Sequence, residues 1–375
     1  MSASSRSFSS KRQLAVAGGA GGFVFCPVLA YYKDMIRFLI ACVMLSTSCT
    51  ASTREVTFKG TCDASAAVAL DEKTFVVADD EDNILRIYSL DKPGMPIAQF
   101  PLNDFLKTKT DKHPEADIEG CTRVGDRIYW ITSHGRSKKG KWRRNRYLFF
   151  ATKIVKDGKS YRIEPEGIPS RELLGGMRAI PEIGLSQSIG RIGADAGAAL
   201  APKEKGLNIE ALSASADGKV LYLGLRNPVP GGKALLIPLQ NAPGVVDKGE
   251  RPRFGVPLKL DFGGLGLRSL EYSAHLKYYL AIAGASNSGK TSAIFSWSGK
   301  ANAKPVLIKA AGKLNPEAIA PLPGVSKARI FSDDGTVMYK VSRLESVEPL
   351  EDGMCPCKYL KDSRKKSFRS MILEF

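Results

Sequence analysis

Short stretches of alternating apolar and polar residues dominate the chain, and they recur in a fixed order. An apolar–Glu–small–apolar opening leads through a turn into an alternating strand that ends in a polar cluster. The clearest copies run from Ile118-Glu119-Gly120-Cys121 to Ile128–His134, from Ile209-Glu210-Ala211-Leu212 to Leu221–Arg226, and from Pro316-Glu317-Ala318-Ile319 to Arg329–Asp334. Ala64–Leu70 leads to Phe75–Asp80 in the same way, with serine in the glutamate place. A further copy, Arg268–Tyr272 followed by Tyr278–Ala283, fits two registers that put either Ser269 or Glu271 in that place.

Each phrase is followed by a second pair of short strands, as at Ala234–Leu239 and Val256–Asp261, with Gly, Asp and Asn at the turns. Four strands per repeat predict an all-β fold, a β-propeller of five four-stranded blades over residues 54–375. At about 60 residues each, the blades exceed the ~40–50 of familiar propeller repeats. A sixth blade hidden in residues 170–206 is the alternative, but that stretch shows little period-2 alternation and reads as an insertion, partly helical around Arg171–Leu174. A lone blade cannot bury both faces, so the units must stack and the ring must close. Glu55–Phe58 is placed to complete the last blade beside Ser370–Glu374, which removes open strand edges.

The N-terminus carries a different signal. Met35–Cys49 has one basic residue, a short apolar run and a small-residue stretch ending at cysteine, the layout of a secretory signal. Residues 1–34 then read as an upstream extension from the choice of start, and residues 35–49 as a signal peptide or lipoprotein signal. Ser46-Thr-Ser-Cys49 resembles a lipobox with its leucine one place early, so lipidation of Cys49 and simple cleavage near Ala51 both stay open. Export to the periplasm or to the outer membrane as a lipoprotein is the expectation. Cys62, Cys121, Cys355 and Cys357 could pair in that oxidising setting, and Cys62 with one of the last two would tie the start of the ring to its end. Free buried thiols are the alternative.

The formal charge of +17 is concentrated partly in Arg136–Arg146, with seven basic residues and no acid, and in Lys358–Arg369. These runs read as solvated loops, or as a basic lip that steers an anionic small molecule or envelope ligand. Nucleic acid is not expected, because aromatics do not interleave with the charges. A monomer is expected.

Six phrases, Cys62–Ala67, Ala78–Asn83, Asp117–Gly120, Ser133–Arg136, Gly224–Pro228 and Phe331–Gly335, together resemble an uncharacterised bacterial family of secreted propellers, itself similar to phytase-like esterase propellers. The resemblance spans roughly Cys62 to the C-terminus. It implies a propeller and secretion, and no settled reaction.

Gly284–Thr291 matches the phosphate-binding P-loop letter for letter. A P-loop must open a helix whose amides cradle phosphate. Ser292–Trp297 is a short β-rich stretch instead, so the motif reads as a hairpin loop and the chain is not a P-loop NTPase.

Chemistry is expected in two places. The first strand of each blade lines the channel, so Glu119, Glu210, Glu317 and Glu271 could converge on a divalent cation such as calcium, or simply fasten neighbouring blades. The second-strand ends supply Asp79, Asp80, Ser133, His134, Arg136, Arg226, Asn227, Asp333 and Asp334, which could grip an anionic ligand, with His134 as a general base. Three functions stay open: a binding module for an anionic or metal-dependent ligand, a metal-assisted phosphoesterase or esterase implied by the phytase-like resemblance, and a structural interaction ring.

Overall fold

The computed structural model describes residues 55–375, apart from 159, 183 and 290. The leader, Cys49 and Lys290 of the P-loop pattern lie outside the described residues.

Five four-stranded antiparallel sheets account for the repeats. Blade 1 comprises Ala66–Ala69, Thr74–Ala78, Ile84–Ser89 and Ala98–Pro101, and blade 2 comprises Ile118–Val124, Arg127–Thr132, Phe149–Asp157 and Ser160–Ser170. Blade 3 comprises Asn208–Ala214, Leu221–Asn227, Ala234–Leu239 and Leu258–Leu260. In blade 4, Gly266–Ser273, Tyr278–Gly284, Ser292–Trp297 and Val306–Ala310 follow one another. Blade 5 takes Pro316–Pro321, Lys327–Ser332 and Ser367–Glu374 from the chain end, and Glu55–Lys59 as its outer strand. The first strands of successive blades pack side by side, and that of blade 5 returns to that of blade 1. The chain is therefore a closed five-bladed β-propeller, and among the described residues no sixth sheet lies between blades 2 and 3. Among the described residues, two short α-helices, Leu173–Arg178 and Leu185–Ile189, and a 3-10 turn, Ala198–Leu200, occupy that interval.

The interior is divided as the repeat demands. One apolar cluster fills each gap between neighbouring blades. Leu85, Trp130 and Phe150 lie between blades 1 and 2, and Phe149, Leu212 and Leu235 between blades 2 and 3. Leu236 and Tyr279 fill the gap between blades 3 and 4, and Ile282 and Ile330 that between blades 4 and 5. The Gly284–Thr291 segment is the turn of a hairpin, since Gly284 pairs with Ser292 and Tyr279 with Trp297 across antiparallel strands.

The seam between blades 5 and 1 is reinforced twice. Glu55–Lys59 pairs antiparallel with Ser367–Met371, and Phe58 stacks against Phe368 at 5.5 Å while meeting the edge of Phe75 at 5.1 Å. A Cys62–Cys357 disulfide then joins residues 295 positions apart, leaving Cys121 and Cys355 as buried free thiols. Cys357 belongs to an excursion between the second and third strands of blade 5, which also carries the two-stranded sheet Met338–Lys340 and Met354–Pro356.

A cross-link over so long a loop restricts the unfolded chain, and removing a native disulfide typically costs about 2–5 kcal/mol. A thiol reductant, or Cys357→Ser, is expected to lower the calorimetric melting temperature by several degrees. An unchanged transition would mean that strand pairing and the aromatic cluster hold the seam without it.

Candidate functional site: an acidic channel mouth

The repeated glutamates owe their position to an irregularity of the strands. In blades 2, 3 and 5 the pairing of first and second strands shifts register across Glu119, Glu210 and Glu317. A bulge of this kind leaves one residue unpaired and re-aims its side chain. Blade 1 has Ser65 at the equivalent place, where its Oγ donates to the carbonyl of Ile118 at 2.6 Å and fastens blade 1 to blade 2.

Blade 4 corrects both registers read from the sequence. Ser269 pairs with Ile282 and Glu271 with Leu280, so the bulge falls on Arg268. The repeat thus carries an arginine where blades 2, 3 and 5 carry an acid, and that arginine forms a salt bridge with Glu317 of blade 5. Glu271 lies further along the channel. It accepts a hydrogen bond from Thr122 Oγ1 at 3.1 Å and borders a cavity of about 340 Å³ that opens among Arg123, His275 and Pro321, near the far ends of the first strands.

Two residues before Ser65, Glu119, Glu210 and Glu317 stand Asp63, Asp117, Asn208 and Asn315. The two aspartates, with Glu119 and the acids at the end of the second strand of blade 1, make the mouth strongly acidic. Carboxylate oxygens of Asp80, Asp117 and Glu119 lie within 4.8 Å of one another, and so do those of Asp63, Asp80 and Glu81. Asp80 belongs to both groups. Asp117 is held in a left-handed backbone conformation, φ 61°, which a non-glycine residue adopts only at some cost.

Cations are present but largely engaged. Arg226 Nη1 donates to Glu210 Oε1 at 2.7 Å, and Arg146 pairs with Asp117 at 3.1 Å and with Glu115. Lys358 Nζ sits 2.5 Å from Glu81 Oε1. No hydrogen-bond donor reaches Asp63 Oδ2, Asp80 Oδ1 or Glu210 Oε2, all buried.

Burial and mutual repulsion act on these acids in one direction. Burial first, and then the charges of Glu210, Asp117 and Asp80, hold the Glu119 carboxyl well above the ordinary range. Asp80 is raised by burial and then by Asp79 and Glu81, and Asp63 by burial, its contact with the Asp333 carboxyl and the charge of Asp80. Glu317 rises to about 7 through burial despite Arg268, and Asp79 to about 7 through burial and Asp82 despite Arg86. An isolated chain must therefore protonate several of these groups or neutralise them with a cation.

The other residues singled out in the sequence divide by place. Asp333 joins the mouth, bridging to Asp63 across the seam and accepting from Asn315 Nδ2 at 2.9 Å. Asp334 instead receives Arg369, at 2.7 Å to Oδ1. Arg226 gives its remaining donors to the carbonyls of Ala285 and Asn287, and Asn227 donates to those of Pro202 and Ser286. Arg136 clamps the insertion through the carbonyls of Ile189 and Arg191 at 2.8 and 2.7 Å, with its guanidinium over Trp142. Ser133 Oγ accepts from the Gly135 amide.

His134 is buried against Tyr147. Its Nδ1 bonds the Thr132 carbonyl at 2.9 Å and Nε2 has no partner. Burial lowers its pKa to about 4, which keeps the ring neutral.

Asp63, Glu81, Glu115, Asp117, Arg146, Arg268 and Lys358 were not anticipated as site residues. Asp117 and Asp63 had a legible signal: Asp117-Ile-Glu119, Asn208-Ile-Glu210 and Asn315-Pro-Glu317 share an Asx two places before the glutamate, and Asp63-Ala-Ser65 follows the same spacing.

A family model described as a protein of unknown function (DUF3616) matches residues 63–150 and 192–327, which contain both carboxylate groups but not Lys358. No curated protein matches the chain. Among solved structures it is similar to a glutaminyl cyclase from Myxococcus xanthus, at 13% identity over 74% of this chain and 88% of that one, with a TM-score of 0.39. It is similar too to the Cps50 (Swd1) β-propeller domain of Myceliophteria thermophila, at 9% identity, 84% and 97% coverage and a TM-score of 0.32. The dihydro-heme d1 dehydrogenase NirN in complex with DHE gives 13% identity, 72% and 41% coverage and a TM-score of 0.27. At these scores the likenesses carry no argument about function.

The raised carboxyls fix the sign of the pH dependence. Their ordinary values are 3.8 for Asp and 4.5 for Glu, and folding lifts Asp79 and Glu317 to about 7. Between these limits the folded state binds more protons, so stability from these groups is complete below about pH 4 and drains as pH rises through 7. Chelator-treated protein is expected to melt at a lower temperature at pH 8 than at pH 5.5. A melting temperature that rises over this interval would contradict the assignment.

Proposed function

We propose, from the premise that this chain belongs to the DUF3616 family of proteins of unknown function, that its propeller is a binding module. In this reading the channel mouth holds a divalent cation and through it captures a small anionic ligand. The observation that carries this reading is the convergence of Asp80, Asp117 and Glu119 from two blades, with Asp80 Oδ1 buried and without a donor. Oxygen-only ligands favour hard ions, calcium, magnesium or manganese, over zinc or copper. A bound cation would take the place of protons that burial otherwise forces onto the carboxyls and would supply positive charge to an incoming anion.

Glu210 and Glu317, expected among the metal ligands, serve in this reading as fasteners of Arg226 and Arg268. Glu271 is assigned no part in the cation site. The Cys62–Cys357 bond supports export, since structural disulfides persist in oxidising compartments.

The phosphoesterase of phytase-like type is the second reading, and the same acids favour it. A metal-held water would be the nucleophile and a protonated carboxyl the acid. His134 supplies no base to it, because its ring is buried against Tyr147 and Arg171 is the charge that acts on it.

Titration calorimetry of the purified protein with CaCl2 or MnCl2 tests the cation. Saturation at 100 times the dissociation constant would add about 2.7 kcal/mol of stability. Asp117→Asn and Glu119→Gln are each expected to weaken binding tenfold or more, and Glu271→Gln to leave it unchanged. Inorganic phosphate should then stabilise only the cation-loaded protein. Absence of heat and of bound metal would overturn the reading, and turnover of p-nitrophenyl phosphate would favour the esterase.

A further inference from the structure

The second carboxylate group, Asp63, Asp80 and Glu81, differs from the first in being built across the ring seam. Asp63 and Lys358 each follow a cysteine of the Cys62–Cys357 bond, whose Cα atoms are 6.1 Å apart. The backbone around them is tied down. Asp334 N donates to the Cys62 carbonyl at 3.0 Å, Cys357 N to that of Val337 at 2.8 Å and Lys358 N to that of Gly335 at 3.1 Å. Gly335 is required there, because a Cβ at that position would stand 1.7 Å from Asp63 Oδ1. The disulfide and these bonds therefore place one acid and one ammonium together from opposite ends of the chain.

When ionised, the acids at this spot outnumber the basic side chains that pair with them. Arg226, Arg268 and Arg146 are engaged with Glu210, Glu317 and the Asp117–Glu115 pair. Among the described residues, no lysine or arginine forms a salt bridge with Asp63, Asp80, Glu119 or Asp333. Asp63 is only 5% exposed and its Oδ2 meets no donor. Lys358 is the basic side chain set against this second group. Its Nζ lies 2.5 Å from Glu81, and although burial works against its charge, Glu81, Asp80 and Asp63 favour it in that order. A half-buried ammonium, 20% exposed, is stabilised by the carboxylates beside it.

We propose that the mouth is a two-cation centre, with a divalent ion at Asp80, Asp117 and Glu119 and the Lys358 ammonium at Asp63, Asp80 and Glu81. The two share the Asp80 carboxylate. This rests on the cation reading above and narrows the ligand to an oxyanion, phosphate or carboxylate, that spans a metal ion and an ammonium. It also gives the disulfide a task at the site, since it holds Lys358 in the position that a second metal would otherwise take. Lysine serves as a compact point charge in such a position, which a planar guanidinium fills less well.

Manganese binding to the full protein tests this by number and by spectrum. The native protein is expected to bind one Mn2+ with the six-line resonance of an isolated ion. Lys358→Met and Lys358→Gln are each expected to bind two, with a spectrum broadened by coupling between neighbouring ions, and Lys358→Met combined with Asp63→Asn to return to one. Circular dichroism identifies any variant that has failed to fold. Two ions in the native protein, or one in both folded Lys358 variants, would overturn the two-cation centre while leaving the cation reading intact. No bound ion in any of them would overturn both.

Discussion

The chemistry of the mouth depends on closure of the ring at the seam between blades 5 and 1. The outer strand of blade 5 comes from residues 55–59, some 300 positions from the strand it pairs with, whose residues 367–371 face it in register. That pairing satisfies backbone groups that an open ring would expose, and it encloses Phe58, Phe75, Phe331 and Phe368 in one cluster. The same closure sets Asp63 against Asp333 and Lys358 against Glu81, so the fold's largest topological demand and its densest charge cluster fall in one place.

A propeller of this kind repeats one structural solution and then spends the copies differently. The bulge in the first strand turns a side chain out of the ladder in each of blades 2 to 5. In blade 3 the turned residue, Glu210, is taken up by Arg226 of the same blade, and in blades 4 and 5 Arg268 and Glu317 neutralise each other. Glu119 alone among the bulged acids has no basic partner, and it stands beside Asp80 and Asp117. Repetition thus explains why glutamates recur, and the exceptions to pairing mark where protons or a bound cation must neutralise the acids. Burying like charges together costs several kcal/mol per unpaired group, a cost out of place in a ring that needed only to be fastened.

The five-bladed architecture was legible from the chain because a period-2 alternation and a four-strand repeat are local properties. The closing strand at Glu55–Phe58, the hairpin at Gly284–Thr291 and the helical insertion after Ser170 were readable for the same reason. The blade 4 register was not. Ser269 and Glu271 both fitted the phrase, and the bulge fell instead on Arg268, because a one-residue slip is decided by hydrogen-bond pairing across the sheet and by the neighbouring Glu317.

The site was legible only in part. Asp79, Asp80, Glu119 and Asp333 follow from the repeat, since each sits at a strand end or a bulge that every blade places near the channel. Arg136, Arg226, Asn227 and Asp334 occupy comparable ends, yet their donors and acceptors are engaged with the insertion, the neighbouring hairpin or Arg369. No periodicity encodes that choice. The sequence alone determined the four-stranded blade and its repetition in a ring, because alternation and turn chemistry act over a few residues, while the sheet topology settled the number at five. Tertiary structure decided which acids stay unpaired and brought Asp63, Glu81 and Lys358 together, because charge neutralisation depends on distances between residues that only ring closure makes short.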